Sequence, residues 1–430
     1  MPALDEVSTI RNHMTGYLTE TLLPFWLERA PDRDLGGFLT YFDRQGRPTG
    51  ETTKTFLMQV RILYTMASAH RAGYGAGQCA ALARRASSYL LDHFWDDEFG
   101  GWYWIADRQG RPTHTGKIGY GHSFALYAFS EYYLATGDVR GRRAAEQTYR
   151  VICENMVDTL HGGYYEILQR DWRPEAPGAS GGDRKSLDVH MHLMEALTTF
   201  YEMTANPTHR RRLLESIEII LRRMLRPETR TGYMQFSLDF TPLPAILFTV
   251  GWGRDAKPED GVARPLELTS YGHNVELVWL LLRAADILGQ SREEYGSLTN
   301  KICDHAVRFG LDTVYGGVFV EGREDAPPTV TEKQFWQQAE MLIGMLDAYL
   351  LLGDEKFWKA FVNVYDFVFR KFVNMEGGGE WYERLDRAGN PIDASLAHGW
   401  KISYHTVRSM IESVERLKKV EAQIRGRTEV

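Results

Sequence analysis

A glycine-led motif recurs six times along this 430-residue chain, and no other feature restricts its architecture as strongly. The copies read GGFLTYFDRQGRP from Gly36, GGWYWIADRQGRP from Gly100 and GGYYEILQRDWRP from Gly162. They continue with TGYMQFSLDFTPLP from Thr231, GGVFVEGREDAPP from Gly316 and GGGEWYERLDRAGNP from Gly377. In each, aromatic and aliphatic residues alternate and then give way to turn residues, which spells a short hairpin or extended loop. The fourth copy, without its glycine pair, is the most degraded.

Pairs of segments with a helical period of about 3.6 residues lie between the copies. They run over 54–73 and 79–95, 122–137 and 142–157, 187–204 and 209–225, 273–289 and 291–310, and 334–353 and 356–372. A helix over roughly 5–29 opens the chain and one over roughly 400–421 closes it, to within about 2–4 residues. The first member of each pair is apolar nearly all round, the mark of a buried helix, whereas the second carries Arg, Lys and Glu on one face. Six inner helices alternating with six outer ones predict an all-α (α/α)6 barrel with short β-hairpins at one mouth. No low-complexity linker breaks the series, so residues 1–430 are expected to form a single domain.

Composition narrows the partners. Lys and Arg total 50 against 57 Asp and Glu, the net charge is −7, and no basic block stands out, which argues against nucleic acid. Cys79, Cys153 and Cys303 share no CxxC spacing, as expected of a reduced, cytoplasmic chain without a disulfide framework. The N-terminal stretch lacks the apolar core of a signal peptide. The apolar run at 277–282 is cut by Arg283, far short of the ~20 residues that cross a bilayer. Aromatic residues make up 12% of the chain, enough to supply a core and also surfaces that stack on sugar rings.

Ionisable residues fall where parallel inner helices would gather their N-terminal ends. Arg61 lies on the first inner helix, Tyr120 and His122 on the second, and Asp188, His190, His192 and Glu195 on the third. The fourth brings His273, Asn274 and Glu276, the fifth Trp336 and Glu340, and the last Trp400, Tyr404, His405 and Arg408. Buried ionisable groups are costly unless paired or used, so their convergence marks a candidate site. His192 and Glu195, like His273 and Glu276, are three residues apart and share a helix face, so each carboxylate can fix its imidazole's tautomer or bind a hydroxyl. His190 and His192 point to different sides, so at most one faces the cavity. His70, His93 and His209 are read as structural or surface residues. HExxH, phosphate-loop and dinucleotide fingerprints are missing from the sequence, so neither metal nor cofactor is expected. The connection from Pro242 to His273 is long, and its Trp252, Arg254 and Asp255 are expected to close the mouth over a small ligand.

Several segments then form a set: MQVRILYT around Arg61, LDVHMHLMEA around His192, YGHNVELVWLL around His273, FWQQAEMLIG around Trp336, GGEWYERLDRAGNP, and WKISYHTVR around His405. On these the chain resembles, over almost its whole length, the superfamily of N-acylglucosamine 2-epimerases and cellobiose 2-epimerases, which also holds mannose isomerases and mannose 2-epimerases. The resemblance implies an (α/α)6 barrel and a cofactor-free sugar 2-epimerase. It implies that His273 and His405 are the acid–base pair, one removing the C2 proton of an open-chain aldose and the other returning it on the opposite face. His192 would assist ring opening, Arg61 would stabilise the enediolate oxygens, and Glu276 would orient His273. Trp336 and Trp400 would wall the sugar and Asp188 would bind a hydroxyl. Independently of the resemblance, Tyr120, His122 and Glu195 by their place on the inner helices, and Trp252 and Asp255 by theirs in the long connection, are read as further substrate contacts.

Cellobiose epimerases tend to carry Asn where this chain has Asp188, Trp-Trp-Pro-Gln where it has FWQQ, Asp where it has Asn274 and Asn where it has Thr406. These departures put a disaccharide substrate in doubt, and the long connection from Pro242 to His273, able to close over a small sugar, favours a free monosaccharide, D-mannose and D-glucose. Cellobiose and N-acylglucosamine stand as alternative substrates, and mannose–fructose isomerisation shares the same enediolate. Glycoside hydrolysis needs two carboxylates flanking the bond, against a mouth richer in histidine. A non-enzymatic sugar-binding barrel would show no turnover at all. The expected partner is a small sugar, with no nucleic acid or membrane, and the chain is expected as a monomer or homodimer.

Overall fold

The computed structural model describes residues 2–248, 261–328 and 330–428. Twelve long helices lie among the described residues: α1 (4–29), α2 (Phe56–Arg71), α3 (Gln78–His93), α4 (Gly119–Thr136), α5 (Val139–Asn155) and α6 (Leu187–Thr204). The second half holds α7 (207–224), α8 (Tyr271–Leu288), α9 (296–310), α10 (Phe335–Leu352), α11 (355–372) and α12 (Ser403–Thr428). Local chemistry sets their ends. Gly137 and Gly353 stop α4 and α10 at φ of 69° and 70°, where a side chain would be strained. Asp138 and Asp354 follow at once and cap α5 and α11 by accepting from the backbone N–H groups of Arg140 and Lys356. Each of these inner helices therefore hands over to its outer partner within two residues.

The even-numbered helices are buried almost all round, α12 over its first half; α10 hides an unbroken run from Gln337 to Tyr349. They pack side by side in the order α2, α4, α6, α8, α10, α12, and α12 closes on α2. Odd-numbered helices line the outside, each from α3 to α11 against the inner helix before it, and α1 against α12. An outer helix buries one stripe, as α5 does with Ala144, Ala145, Thr148, Val151 and Ile152. This is the (α/α)6 barrel expected from the repeats. The last helix starts at Ser403, so Trp400 lies in the turn before it and not on it. None of the helices among the described residues is long and apolar enough to cross a membrane.

All six hairpins form, the degraded fourth included, each opened by one antiparallel bridge: Pro31 to Phe38, Trp95 to Trp102, Val157 to Tyr164, Leu225 to Gly232, Leu311 to Val318 and Val373 to Trp381. The short strand before each inner helix pairs with the next hairpin along the chain, as Lys54–Thr55 does with Ile105–Ala106 and Lys333–Gln334 with Arg384–Leu385. A bridge from Phe42 to Ala397 closes this outer ring.

Buried lysines lock it. Lys54, Lys117, Lys185 and Lys333 sit two residues before their inner helices and pair with Asp32, Asp96, Asp158 and Asp312 at 3.1, 2.8, 2.7 and 3.0 Å. Lys333 also donates to the carbonyls of Gly316 and Arg387, so all three ammonium protons are used and its burial leaves nothing unsatisfied. The fourth repeat exchanges this pair for Arg226 and Thr269, which bind backbone carbonyls instead.

Candidate active site

Aligning the six inner helices on their first residues sorts their side chains by task. The fourth residue of each faces its hairpin. Backbone N–H groups of Phe38, Trp102, Tyr164, Gly232 and Val318 donate to Gln59, His122, His190, Asn274 and Gln338 over 2.8–3.2 Å. In the sixth repeat Glu380 intervenes, accepting from both the Trp381 N–H and the Thr406 hydroxyl. Different residue types thus satisfy one buried amide that the hairpin leaves without a strand partner.

This overturns the expectation that His122 touches a ligand. Its Nδ1 lies 2.8 Å from the Ile118 carbonyl and its Nε2 accepts from Trp102, so both nitrogens serve the backbone. Burial drives its pKa down to about 3. His190 is its counterpart one repeat on, leaving His192 as the inward-facing member of that pair. Asn274 and Thr406 hold the same structural position, so these two departures serve hairpin packing, and Asn274 also lines the cavity beside His273.

The third residues of α8 and α12 are His273 and His405, two repeats apart, and Trp336 projects from the repeat between them. Its ring centroid lies 4.5 Å from that of His273 and 5.9 Å from that of His405. Ser186 and Ser270 cap α6 and α8, which fixes the first turns that carry Asp188 and His273. Asp188 Oδ1 stands 3.4 Å from Nε2 of both His192 and His273. One turn further in, Glu195 Oε2 holds His192 Nδ1 at 2.8 Å. Burial alone would lower the pKa of His192, but the adjacent Asp188 carboxylate and the Glu195 hydrogen bond outweigh it and raise it to about 10. Burial likewise opposes, and the Asp188 charge overrides, so His273 is also raised. Asp188 remains ionised far below the ordinary carboxylate range because these imidazolium charges overcome its burial.

His405 stands in the opposite state. Burial, reinforced by the Arg61 and Arg408 charges, outweighs its hydrogen bond to Glu340 and pushes its pKa down to about 3. Nδ1 of His405 lies 2.7 Å from Glu340 Oε1, whose other oxygen accepts the Trp279 indole N–H at 2.9 Å. Glu340, Glu276 and Glu195 all accept from Arg408. Glu276 therefore binds Arg408 and does not orient His273 as expected; Asp188 is the carboxylate beside that ring. As the sixth residue of its helix, Glu276 points down the barrel axis towards the guanidinium. Glu195 is engaged on both oxygens by His192, Tyr404 and Arg408, so it supports His192 and does not face a ligand.

Arg61 donates to the Trp400 carbonyl at 3.2 Å and the Tyr120 hydroxyl at 2.8 Å, and so gathers three of the expected site residues. A cavity of about 190 Å³ opens beside Tyr120, Asp188 and His273, roofed by Ala245, Ile246 and Phe248 from the long connection. Trp252 and Asp255 lie outside the described residues. Donor atoms of Glu276, Glu340 and His405 come within 4.8 Å of one another, a spacing that could hold a cation. Arg408 Nη2 already bridges the two carboxylates, so a guanidinium supplies the positive charge there. Glu340 and Arg408 had no assigned role from sequence, and Trp279 was missed.

The N-acylglucosamine 2-epimerase (GlcNAc 2-epimerase) family profile matches residues 36–409. The cellobiose 2-epimerase of Bacteroides fragilis is 30% identical over 416 residues, covering 95% of this chain and 99% of that protein. A D-mannose isomerase of Marinomonas mediterranea is 23% identical over 420 residues, covering 97% of this chain and 99% of that protein. Among solved structures, cellobiose 2-epimerase from Spirochaeta thermophila superposes with a TM-score of 0.85 at 27% identity, covering 97% of this chain and 98% of that one. With the profile spanning most of the barrel, from the first hairpin into the start of α12, the chain belongs to the N-acylglucosamine 2-epimerase family and is an enzyme of the epimerase and isomerase class.

Proposed function

We propose that this enzyme interconverts D-mannose and D-glucose at C2, with His405 and His273 as the two acid–base groups. The observation that carries the reading is the placement of these imidazoles on either side of Trp336. Burial lowers the pKa of His405, and the Asp188 charge raises that of His273 against its burial, so that in the proposed resting state His405 is the base and His273 the acid. Inversion needs a base on one face of C2 and an acid on the other, and this resting state supplies one of each. His405 Nε2 takes the C2 proton, the C–H electron pair becomes the C1–C2 double bond, and the carbonyl pair moves to O1. Arg61 faces that developing charge. As the carbonyl re-forms, the new double bond draws a proton from His273 onto the other face of C2. His405 ends protonated and His273 neutral, which is the starting state for the reverse reaction.

His192, a buried imidazolium, is the donor for opening the sugar ring, and Asp188 accepts a hydroxyl between the two histidines. The roof of Ala245, Ile246 and Phe248 and the charged Asp188 support a monosaccharide. The D-mannose isomerase relative favours fructose formation as the second reading, since only the carbon that receives the proton differs. Incubation with D-mannose in D2O, followed by NMR, tests both. Glucose deuterated at C2, lost in H405Q, supports the epimerase; fructose as the main product replaces it with the isomerase. Exchange with cellobiose and none with mannose would overturn the monosaccharide assignment.

A further inference from the structure

Arg408, the sixth residue of α12, is 1% exposed on the barrel axis. Its Nη1 donates to Glu195 Oε1 at 2.6 Å, and its Nη2 donates to Glu276 Oε1 at 2.7 Å and to Glu340 Oε1 at 2.8 Å. Four inner helices, α6, α8, α10 and α12, therefore meet at one guanidinium. Two of the three carboxylates spend further lone pairs on site histidines: Glu195 on His192 Nδ1 and Glu340 on His405 Nδ1. The rings of Trp279 and Tyr404 cover the guanidinium carbon at 4.8 and 4.1 Å. Its charge is thus sealed from water and directed at the carboxylates.

We propose that Arg408 is the positioning residue that sets the tautomer of His405. The inference rests on the epimerase reading only for its kinetic consequence. A buried carboxylate without a counter-charge takes up a proton. Ionised Glu340 can only accept, so the His405 proton sits on Nδ1 and Nε2 keeps a bare lone pair for C2. Protonated Glu340 would donate to Nδ1 instead, placing the histidine's own proton on Nε2 and removing the base. Arg408 prevents this by holding Glu340 as an anion. The task needs an arginine, because a planar fork can address three carboxylates at once while an ammonium is a single point of charge.

The third carboxylate shows where the charge balance lies. Glu276 Oε2 is buried with no hydrogen-bond partner among the described residues, and burial beside the negative Glu340 raises its pKa above the usual carboxylate range. Glu340, against the same Arg408 and bonded to His405, is held below the usual carboxylate range despite its burial. Arg408 and the His192 imidazolium then balance Glu195 and Glu340, and Glu276 is the carboxylate that yields.

Nitrogen-15 NMR of histidine-labelled protein tests the assignment, with H405Q identifying the His405 signals. In the wild type at pH 7, His405 should show protonated Nδ1 and bare Nε2. In R408M that pattern should invert, kcat with mannose should fall at least about 100-fold, and KM should stay within about threefold, the signature of a group acting only on the chemical step. R408K, which keeps the charge without the fork, should fold even where R408M does not, with a mixed tautomer and partial kcat. An unchanged His405 tautomer in either folded variant overturns the proposal, as does a fall in melting temperature with kcat intact. If the wild type turns over no mannose but the tautomer still inverts, the sugar reading fails and the role of Arg408 stands.

Discussion

Glu340 Oε1 lies 2.7 Å from His405 Nδ1, and this one bond decides which face of the imidazole is basic. The carboxylate is clamped from its other side by Trp279 Nε1 at 2.9 Å, so it cannot rotate away from the ring without abandoning the indole. The candidate base is thereby fixed in both orientation and protonation before any sugar arrives.

Replacing Glu340 by Gln keeps the shape and removes the obligation to accept. The amide can turn its NH2 towards His405 Nδ1, which puts the ring's proton on the substrate side. We expect E340Q to lose about 10²–10⁴-fold in kcat with KM nearly unchanged, by analogy with the cost of a wrong histidine tautomer in hydrolase triads. Initial rates of glucose formation from mannose measure the split. Wild-type kcat in E340Q would remove Glu340 from the mechanism.

His122 should respond in the opposite way. Both its nitrogens serve backbone groups of Ile118 and Trp102, so H122A leaves a buried N–H without an acceptor, at a cost of about 1–3 kcal/mol. Urea unfolding should show this loss while kcat on the folded fraction stays within about twofold of wild type. A deep loss of kcat at unchanged stability would return His122 to the substrate-contacting set.

The repeats made the barrel legible, because helix period and hairpin recurrence are both local signals. Site residues were legible as a group for a related reason: buried His, Glu and Arg stand out on apolar helices wherever they occur. What local pattern could not give was direction. His122 and His192 look alike in sequence, yet one is the fourth residue of its helix and the other the sixth, and a difference of two positions turns a side chain from hairpin to axis. Numbering all six helices from a common start would have separated them, but that start depends on the strand pairings of the outer ring. Glu276 was misassigned to His273 because three-residue spacing describes one helix, whereas its partner Arg408 comes from another. The buried Lys–Asp pairs escaped notice because their members are 21–27 residues apart in sequence.

Those pairs give a stability prediction. Lys333 and Asp312 are both fully buried, so K333M leaves a carboxylate held by the half-exposed Arg387 and by the Val314 and Tyr315 backbone N–H groups. The loss should be about 3–5 kcal/mol, the usual cost of breaking a buried pair from one side. Arg387 is 45% exposed and solvent-screened, so R387A should cost far less than K333M. Urea midpoints of the two variants rank them. Equal midpoints would mean that the hairpin ring does not depend on its buried lysines.

Asp188 offers a test by pH. It sits between His192 and His273 and raises both, so each stays protonated to higher pH than an isolated imidazole. The proposed reaction starts with His273 protonated; its rate should hold at neutral pH and fall as pH rises through the elevated His273 pKa. His405, with a pKa of about 3, contributes no acid limb between pH 5 and 8. D188N removes the charge that favours the imidazolium, so the alkaline limb of kcat/KM should move to lower pH while the acid side stays flat. Stability follows the same sign. His192, at about 10 in the folded chain, contributes stability that is complete below its unfolded value of about 6.5 and is lost as pH rises through about 10. In D188N that alkaline loss should begin earlier, and thermal melts at pH 7–10 would follow it beside the rate profile. An alkaline limb that D188N leaves in place would assign it to a group other than His273, and the acid on the second face of C2 would have to be sought elsewhere on the rim.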